Sequence, residues 1–302
     1  MPTDSDTNER LCHSHAEEVK TAREERRIRW VVAVTLLAMF GELTVGLVSG
    51  SLALVAEGWH MACHAGALGL AALAYWFART RARDAAFTFG TGKVHALAGY
   101  TNAILLLGVS ILTIVEGARR LFAPVHIDFR EALPAAIAGL VVNVVCVRLL
   151  DVHHHDHDEH HHEHNHNLRA AYLHVLGDLI TSVAAVVALV GARYAGWRSL
   201  DPLMAVVSSV VVLKWGVSLV RTSGGQLLDV AASTDLAHAI RERVETLDGA
   251  RVVDLHLWQL GPGRHGCILS IVSPIARPLD DYRAAVHAVV SVGHLTIEIA
   301  PS

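Results

Sequence analysis

Six long apolar runs, each bounded by charged or polar residues, organise the chain as far as Leu228. They fall at about 29–49, 51–77, 95–117, 131–150, 168–193 and 203–222. A helix that crosses a bilayer needs roughly 20 mainly apolar residues, so each run is long enough to span. After Leu228 the pattern becomes that of a water-exposed domain. Helical periodicity over Thr234–Leu247 is followed by strand-like alternation over Val252–Gln259 and Cys267–Val272, a second helix over Leu279–Val290 and a strand over Leu295–Ile299. The expected fold is therefore an all-α membrane domain of six transmembrane helices with a small α+β domain of order α-β-β-α-β behind it. The boundaries are a tail at 1–28, the six-helix domain at 29–228 and the C-terminal domain at 229–302. A domain of roughly 75 residues buries little core, so a docked or dimerised module is the economical reading, and a homodimer is expected.

Charge sets the orientation. Lys20, Arg23, Arg26 and Arg27 precede the first run and Arg29 opens it, and Arg79, Arg81, Arg83 and Lys93 separate the second from the third. Lys and Arg concentrate on the cytoplasmic side of membrane proteins, which places both termini in the cytoplasm of a multi-pass protein of the cell (inner) membrane. The first run is long enough to remain as a span, so a cleaved signal peptide is not expected. The composition agrees: 52% of the 302 residues are hydrophobic, 18% are charged, and the mean hydropathy is +0.39. A formal charge of −4 gives no sign of nucleic-acid binding. Cys12, Cys63, Cys146 and Cys267 form no Cys-x-x-Cys pair, so neither a disulfide framework nor a zinc knuckle is indicated.

The anomaly is histidine, with 21 residues. Two pairs stand inside apolar runs: His60 with His64 in the second, and His174 with Asp178 in the fifth. Spacing i, i+4 puts both members of a pair on one helix face. Ionisable groups inside a membrane are costly unless paired, wet or metal-bound, so four at matching spacing mark a transport pathway. Three imidazoles and one carboxylate suit tetrahedral binding of a late first-row divalent ion and disfavour Mg²⁺ or Ca²⁺. The imidazoles must be neutral and Asp178 ionised to hold metal, so protons compete for the same site. Glu42, also mid-span, is expected to face the polar interior.

Between the fourth and fifth runs, residues 153–166 hold nine histidines, namely His153, His154, His155, His157, His160, His161, His162, His164 and His166, interleaved with acids. The tract offers no apolar core and reads as a metal-gathering loop. In the C-terminal domain His256, His294 and Glu298, together with His265 and Cys267, are candidates for regulatory metal binding, since strands can bring such donors together across a sheet or a dimer interface.

These pieces together resemble the cation diffusion facilitator family of metal exporters. The resemblance rests on Ser51-Leu52-Ala53-Leu54 leading to Glu57-Gly58-Trp59-His60-Met61, Phe89-Gly90 with Lys93, Asn102, Glu116, the His-rich loop, and His174-Val175-Leu176-Gly177-Asp178. It continues through Asp254-Leu255-His256-Leu257-Trp258 and His294-Leu295-Thr296-Ile297-Glu298. One departure is informative. The zinc-type pattern carries Asp where this chain carries His64, which looks like the DmeF-type branch of cobalt and nickel exporters. The resemblance implies export of a divalent cation from the cytoplasm, Co²⁺ or Ni²⁺ first and Zn²⁺ as the alternative, by alternating access with proton antiport. It implies no prosthetic group and no enzymatic reaction; the partners are the membrane, metal ions and protons. A membrane metallohydrolase shares the His60/His64 spacing but needs a glutamate base where Met61 stands. A membrane-anchored metal buffer or sensor would use the loop but leaves the buried pairs unexplained.

Overall fold

A computed structural model describes residues 33–151 and 164–301 apart from 232, 248, 275 and 276; at 146, 147, 149–151, 164–178 and 301 it describes the backbone without the side chains. The tail at 1–28 and the loop histidines His153, His154, His155, His157, His160, His161 and His162 lie outside the described residues.

Helices occupy all six apolar runs: α1 (Ala33–Ser49), α2 (Leu52–Thr80), α3 (Val94–Phe122), α4 (Phe129–Asp151), α5 (His164–Tyr194) and α6 (Leu200–Leu227). Among the described residues α2, α3 and α6 are long and apolar enough to cross a membrane, while α1 and the Leu179–Tyr194 part of α5 are shorter apolar helices. Helix α5 begins at His164, earlier than the apolar run, so His164 and His166 stand on helix backbone and not in a loop. Propagating a helix adds one hydrogen bond per residue fixed, and polar residues can extend it beyond the apolar segment. Large apolar side chains on these helices face outward, Val48 at 73% and Leu112 at 71% exposure, as lipid-facing positions require.

The chain divides into two compact units. The first comprises residues up to Ala65 with Val109–Val211, and the second Gly66–Gly108 with Val212 onward. In the first, Leu54, Ile127, Ala132, Leu133, Ala136 and Leu189 form a buried apolar core. Helices α1 and α2 approach closely because Gly46 and Gly58 carry no side chain: a Cβ on Gly46 would stand 2.9 Å from Val55, and one on Gly58 2.8 Å from Leu43. The reversal between them needs Gly50, at φ +79°, where a Cβ would meet the His126 carbonyl oxygen at 2.6 Å.

The second unit carries α7 (Thr234–Glu245), β1 (Arg251–Gly261), β2 (Arg264–Ser273), α8 (Leu279–His287) and β3 (Val292–Pro301), the order that the sequence pattern predicts. Strand β1 pairs antiparallel with β2, and β2 pairs parallel with β3. Helix α7 is capped by Ser233, whose hydroxyl accepts from the Leu236 N–H, and it buries Ile240 and Val244. These pack with Leu257, Cys267, Leu269, Ile271, Tyr282 and Val286 in one core. In the same unit the segment before α3 meets the sheet: a Cβ on Gly92 would overlap the Leu260 carbonyl, Phe89 stands edge-on to Trp258 and His294, and Lys93 Nζ lies 2.7 Å from Asp229.

Candidate metal centre

The site is built on α2. His60 and His64 leave one face, and their Nε2 atoms stand 3.0 Å apart with ring planes at 84°. His60 is buried at 6% exposure and His64 is half-buried. Two nitrogens bound tetrahedrally to one ion at roughly 2.0–2.1 Å lie about 3.3–3.4 Å apart. The observed separation is a few tenths of an ångström short of that, so a small spread of the rings opens the pair to a shared ion.

One turn before His60, on the same side of α2, Glu57 is buried at 5% exposure. Its Oε1 accepts from the Ser182 hydroxyl at 2.5 Å and the Thr181 hydroxyl at 3.3 Å, and Asn143 Nδ2 donates to Ser182 Oγ at 2.7 Å. This chain of hydrogen bonds joins α4, α5 and α2. It also fixes which side of α5 meets α2: Asp178 precedes Ser182 by four residues and His174 precedes Asp178 by four, so all three positions share a helix face. The side chains of His174 and Asp178 themselves lie outside the described residues.

Sequence reasoning quoted Glu57 as part of a motif and gave it no role. The signal was available, since position i−3 to His60 shares its face. It also missed Asp201, for which no local signal exists. Asp201 is fully buried at the start of α6, and its carboxylate accepts from the Ser51 hydroxyl at 2.6 Å and from the Leu52 and Ala53 N–H groups at 2.8 and 3.3 Å. A carboxylate on the free N–H groups of a helix start is favourable by hydrogen bonding and by the helix dipole. Asp201 thereby holds the start of α2, two turns from His60. Arg120 closes the same end by donating to the Gly50 carbonyl at 2.7 Å.

The C-terminal candidates are not brought together. His256 on β1 is exposed and lies 3.0 Å from Asp254. His294 on β3 stands against Phe89 and Thr296, and Glu298 accepts from Ser270 at 3.3 Å. In the register His256 pairs with Ile268 and Ile268 with Thr296, so donors on β1 and β3 are separated by the whole of β2. Two strand spacings are roughly 9–10 Å, whereas two ligands of one ion must approach within about 4 Å. Among the described residues no group of three His, Cys, Asp or Glu meets in metal-binding geometry. His265 instead faces the Ser291 carbonyl at 3.3 Å. Cys267 is fully buried in the core, and burial pushes its thiol up to about 11.

Three helices long and apolar enough to cross a membrane, one of them carrying a buried, converging imidazole pair, define a membrane protein with polar groups held inside its helices. Residues 28–228 match the profile of the cation efflux transmembrane domain, and the chain belongs to the cation efflux, or cation diffusion facilitator, family. It is a divalent metal cation efflux transporter. The zinc transporter ZitB of Escherichia coli is 35% identical over 256 residues, covering 83% of this chain and 79% of the relative. The metal cation efflux protein CzcD of Cupriavidus metallidurans is 29% identical over 285 residues, 92% of this chain and 87% of the relative. A cadmium, cobalt and zinc/H(+)-K(+) antiporter of Bacillus subtilis is 28% identical over 239 residues, 77% and 74% of the two chains.

Proposed function

We propose that the chain exports a late first-row divalent cation through a four-ligand site formed by His60 and His64 of α2 and His174 and Asp178 of α5, in exchange for protons. The observation that carries this reading is the convergence of the two Nε2 atoms of His60 and His64, with Glu57 and Ser182 pinning the same face of α2 to α5. In a six-span bundle α2 and α5 run in opposite senses. Asp178 then lies roughly 6 Å from Ser182 along α5, and His60 roughly 4.5 Å from Glu57 along α2, both steps toward the same side. That geometry supports one ion held between the two pairs.

Replacing a carboxylate by His64 removes one negative charge and adds a softer nitrogen donor, which favours Co²⁺ and Ni²⁺. The Zn²⁺ reading has its own support, because relatives of this chain are named as zinc transporters. Each site member has one chemical task. The imidazoles supply neutral donors, Asp178 supplies charge, and protons arriving from outside displace the ion. The His153–His166 tract gathers metal at the cytoplasmic entrance, and residues 229–302 pair two copies in a homodimer. His256, His294 and Glu298 would need donors from a second copy to complete a regulatory site.

The test is proton-driven uptake of Co²⁺, Ni²⁺ and Zn²⁺ into proteoliposomes, compared side by side. His64→Asp is expected to shift the ranking toward Zn²⁺. An unchanged ranking would remove His64 from the site. A membrane-anchored buffer would bind metal and show no flux.

A further inference from the structure

Besides Glu57 and Asp201, a third acid is buried in the first unit and has no place in the four-ligand site. Glu42 of α1 is 3% exposed, and its Oε2 has no hydrogen-bond partner among the described residues. Its other oxygen rests against α4 at Gly139, where any Cβ would overlap the carboxyl group. Glycine there is what makes room for the acid. Leu43, the next residue on α1, packs against Gly58 of α2, the residue after Glu57, so the two acids stand on adjoining turns of neighbouring helices.

The two acids are supplied unequally. Glu57 receives hydroxyl hydrogen bonds from Ser182 and Thr181, which support a negative charge. Glu42 receives no such donor at Oε2, and a bare charge in a dry interior is costly. Like charges in one pocket cannot both persist without a compensating cation. A divalent ion at His60, one turn from Glu57, is a cation that would offset two such charges.

We propose that Glu42 carries an exchanged proton: it is a neutral acid while the metal site is empty and an ionised carboxylate while a divalent ion sits at His60 and His64. The proton leaves Glu42 as metal enters and is taken up again as metal leaves, so this carboxyl carries one of the two charges exchanged for a divalent ion, the other being a proton displaced from the four-ligand site. Among the described residues, the other groups facing this region come from α2, α4 and α5. Helix α2 brings Glu57 and, one turn on, His60. Described α5 residues bring the hydroxyls of Thr181 and Ser182. Helix α4 brings Gly139, with Arg130 and Glu131 beside Thr44, Val45 and Val48 farther toward the Gly50 turn. This inference rests on the proton-exchange reading above and adds a carrier that is not a metal ligand.

The experiment uses full-length protein in proteoliposomes with Zn²⁺ as the probe, and records both metal uptake driven by a pH gradient and Zn²⁺/Zn²⁺ exchange at equal pH. Glu42→Gln, which mimics the neutral acid, should keep exchange within about twofold of wild type and lose at least tenfold of gradient-driven accumulation. Glu42→Asp, which keeps a titratable acid, should recover part of it. Gradient-driven uptake unchanged in Glu42→Gln would overturn the proposal and leave proton exchange standing. Wild-type protein that moves Zn²⁺ without moving protons would overturn both. Loss of exchange as well as accumulation in Glu42→Gln would assign the carboxyl a structural role and overturn the proposal.

Discussion

The histidines of α2 and those of the C-terminal sheet are similar in kind and opposite in arrangement. His60 and His64 meet at 3.0 Å, whereas His256 and His294 sit on strands separated by a third. The difference is a property of the elements. A helix repeats its face every three to four residues, so two ligands on one short segment share a target by construction. A strand repeats its face every two, and donors from different strands meet only if the strand order makes them neighbours. Placing β2 in the middle denies β1 and β3 that adjacency.

The largest effect expected from this contrast is at α5. Asp178→Ala should reduce flux of Co²⁺, Ni²⁺ and Zn²⁺ by at least 100-fold, because it removes the only carboxylate of the proposed site and leaves a doubly charged ion among neutral ligands. Flux assays with reconstitution verified check this, and near-normal transport would break the helix side of the comparison. Next comes Glu57→Ala, which removes the acceptor joining α2 to Ser182 and Thr181. Turnover should fall roughly tenfold, about 1.4 kcal/mol in the barrier, with Glu57→Gln milder because it keeps an acceptor oxygen. Comparing turnover at saturating metal for the two variants separates positioning from charge.

Asp201→Ala should lower thermal stability by about 2–3 kcal/mol, since it leaves the buried Ser51 hydroxyl and the first N–H groups of α2 without their acceptor. A melting curve in detergent reads it, and an unchanged midpoint would show that the start of α2 is held otherwise. Smaller still, replacing His256, His294 and Glu298 together by alanine should change flux less than twofold at saturating metal. A tenfold loss would show that these donors meet across a dimer. The least effect belongs to Cys267. Its folded-state thiol stands at about 11, above the ordinary 9.0, so its contribution to stability is full below pH 9 and is lost as pH rises toward 11 and the unfolded chain deprotonates. Thiol labelling at neutral pH should therefore be slow until the domain unfolds.

Much of this was legible in the sequence because its signals are local. Apolar runs gave the helices, period-two alternation gave β1 and β2, and spacing i, i+4 gave the His60/His64 pair. The start of α5 was not legible, since His164 and His166 belong to a helix that outruns its apolar segment. Glu57 could have been found by extending the face argument one turn back from His60. Asp201 could not, because its partners Ser51, Leu52 and Ala53 lie about 150 residues away. The separation of His256 from His294 depended on strand order, which alternation does not encode.

The most direct test is X-ray absorption spectroscopy at the Co²⁺ or Zn²⁺ edge of full-length protein lacking residues 153–166, so that loop histidines add no signal. The account predicts a four-coordinate shell with scattering from three imidazoles and one oxygen donor, changing to two imidazoles and two oxygen donors in His64→Asp. A six-coordinate shell, or a spectrum that His64→Asp leaves unchanged, would contradict it.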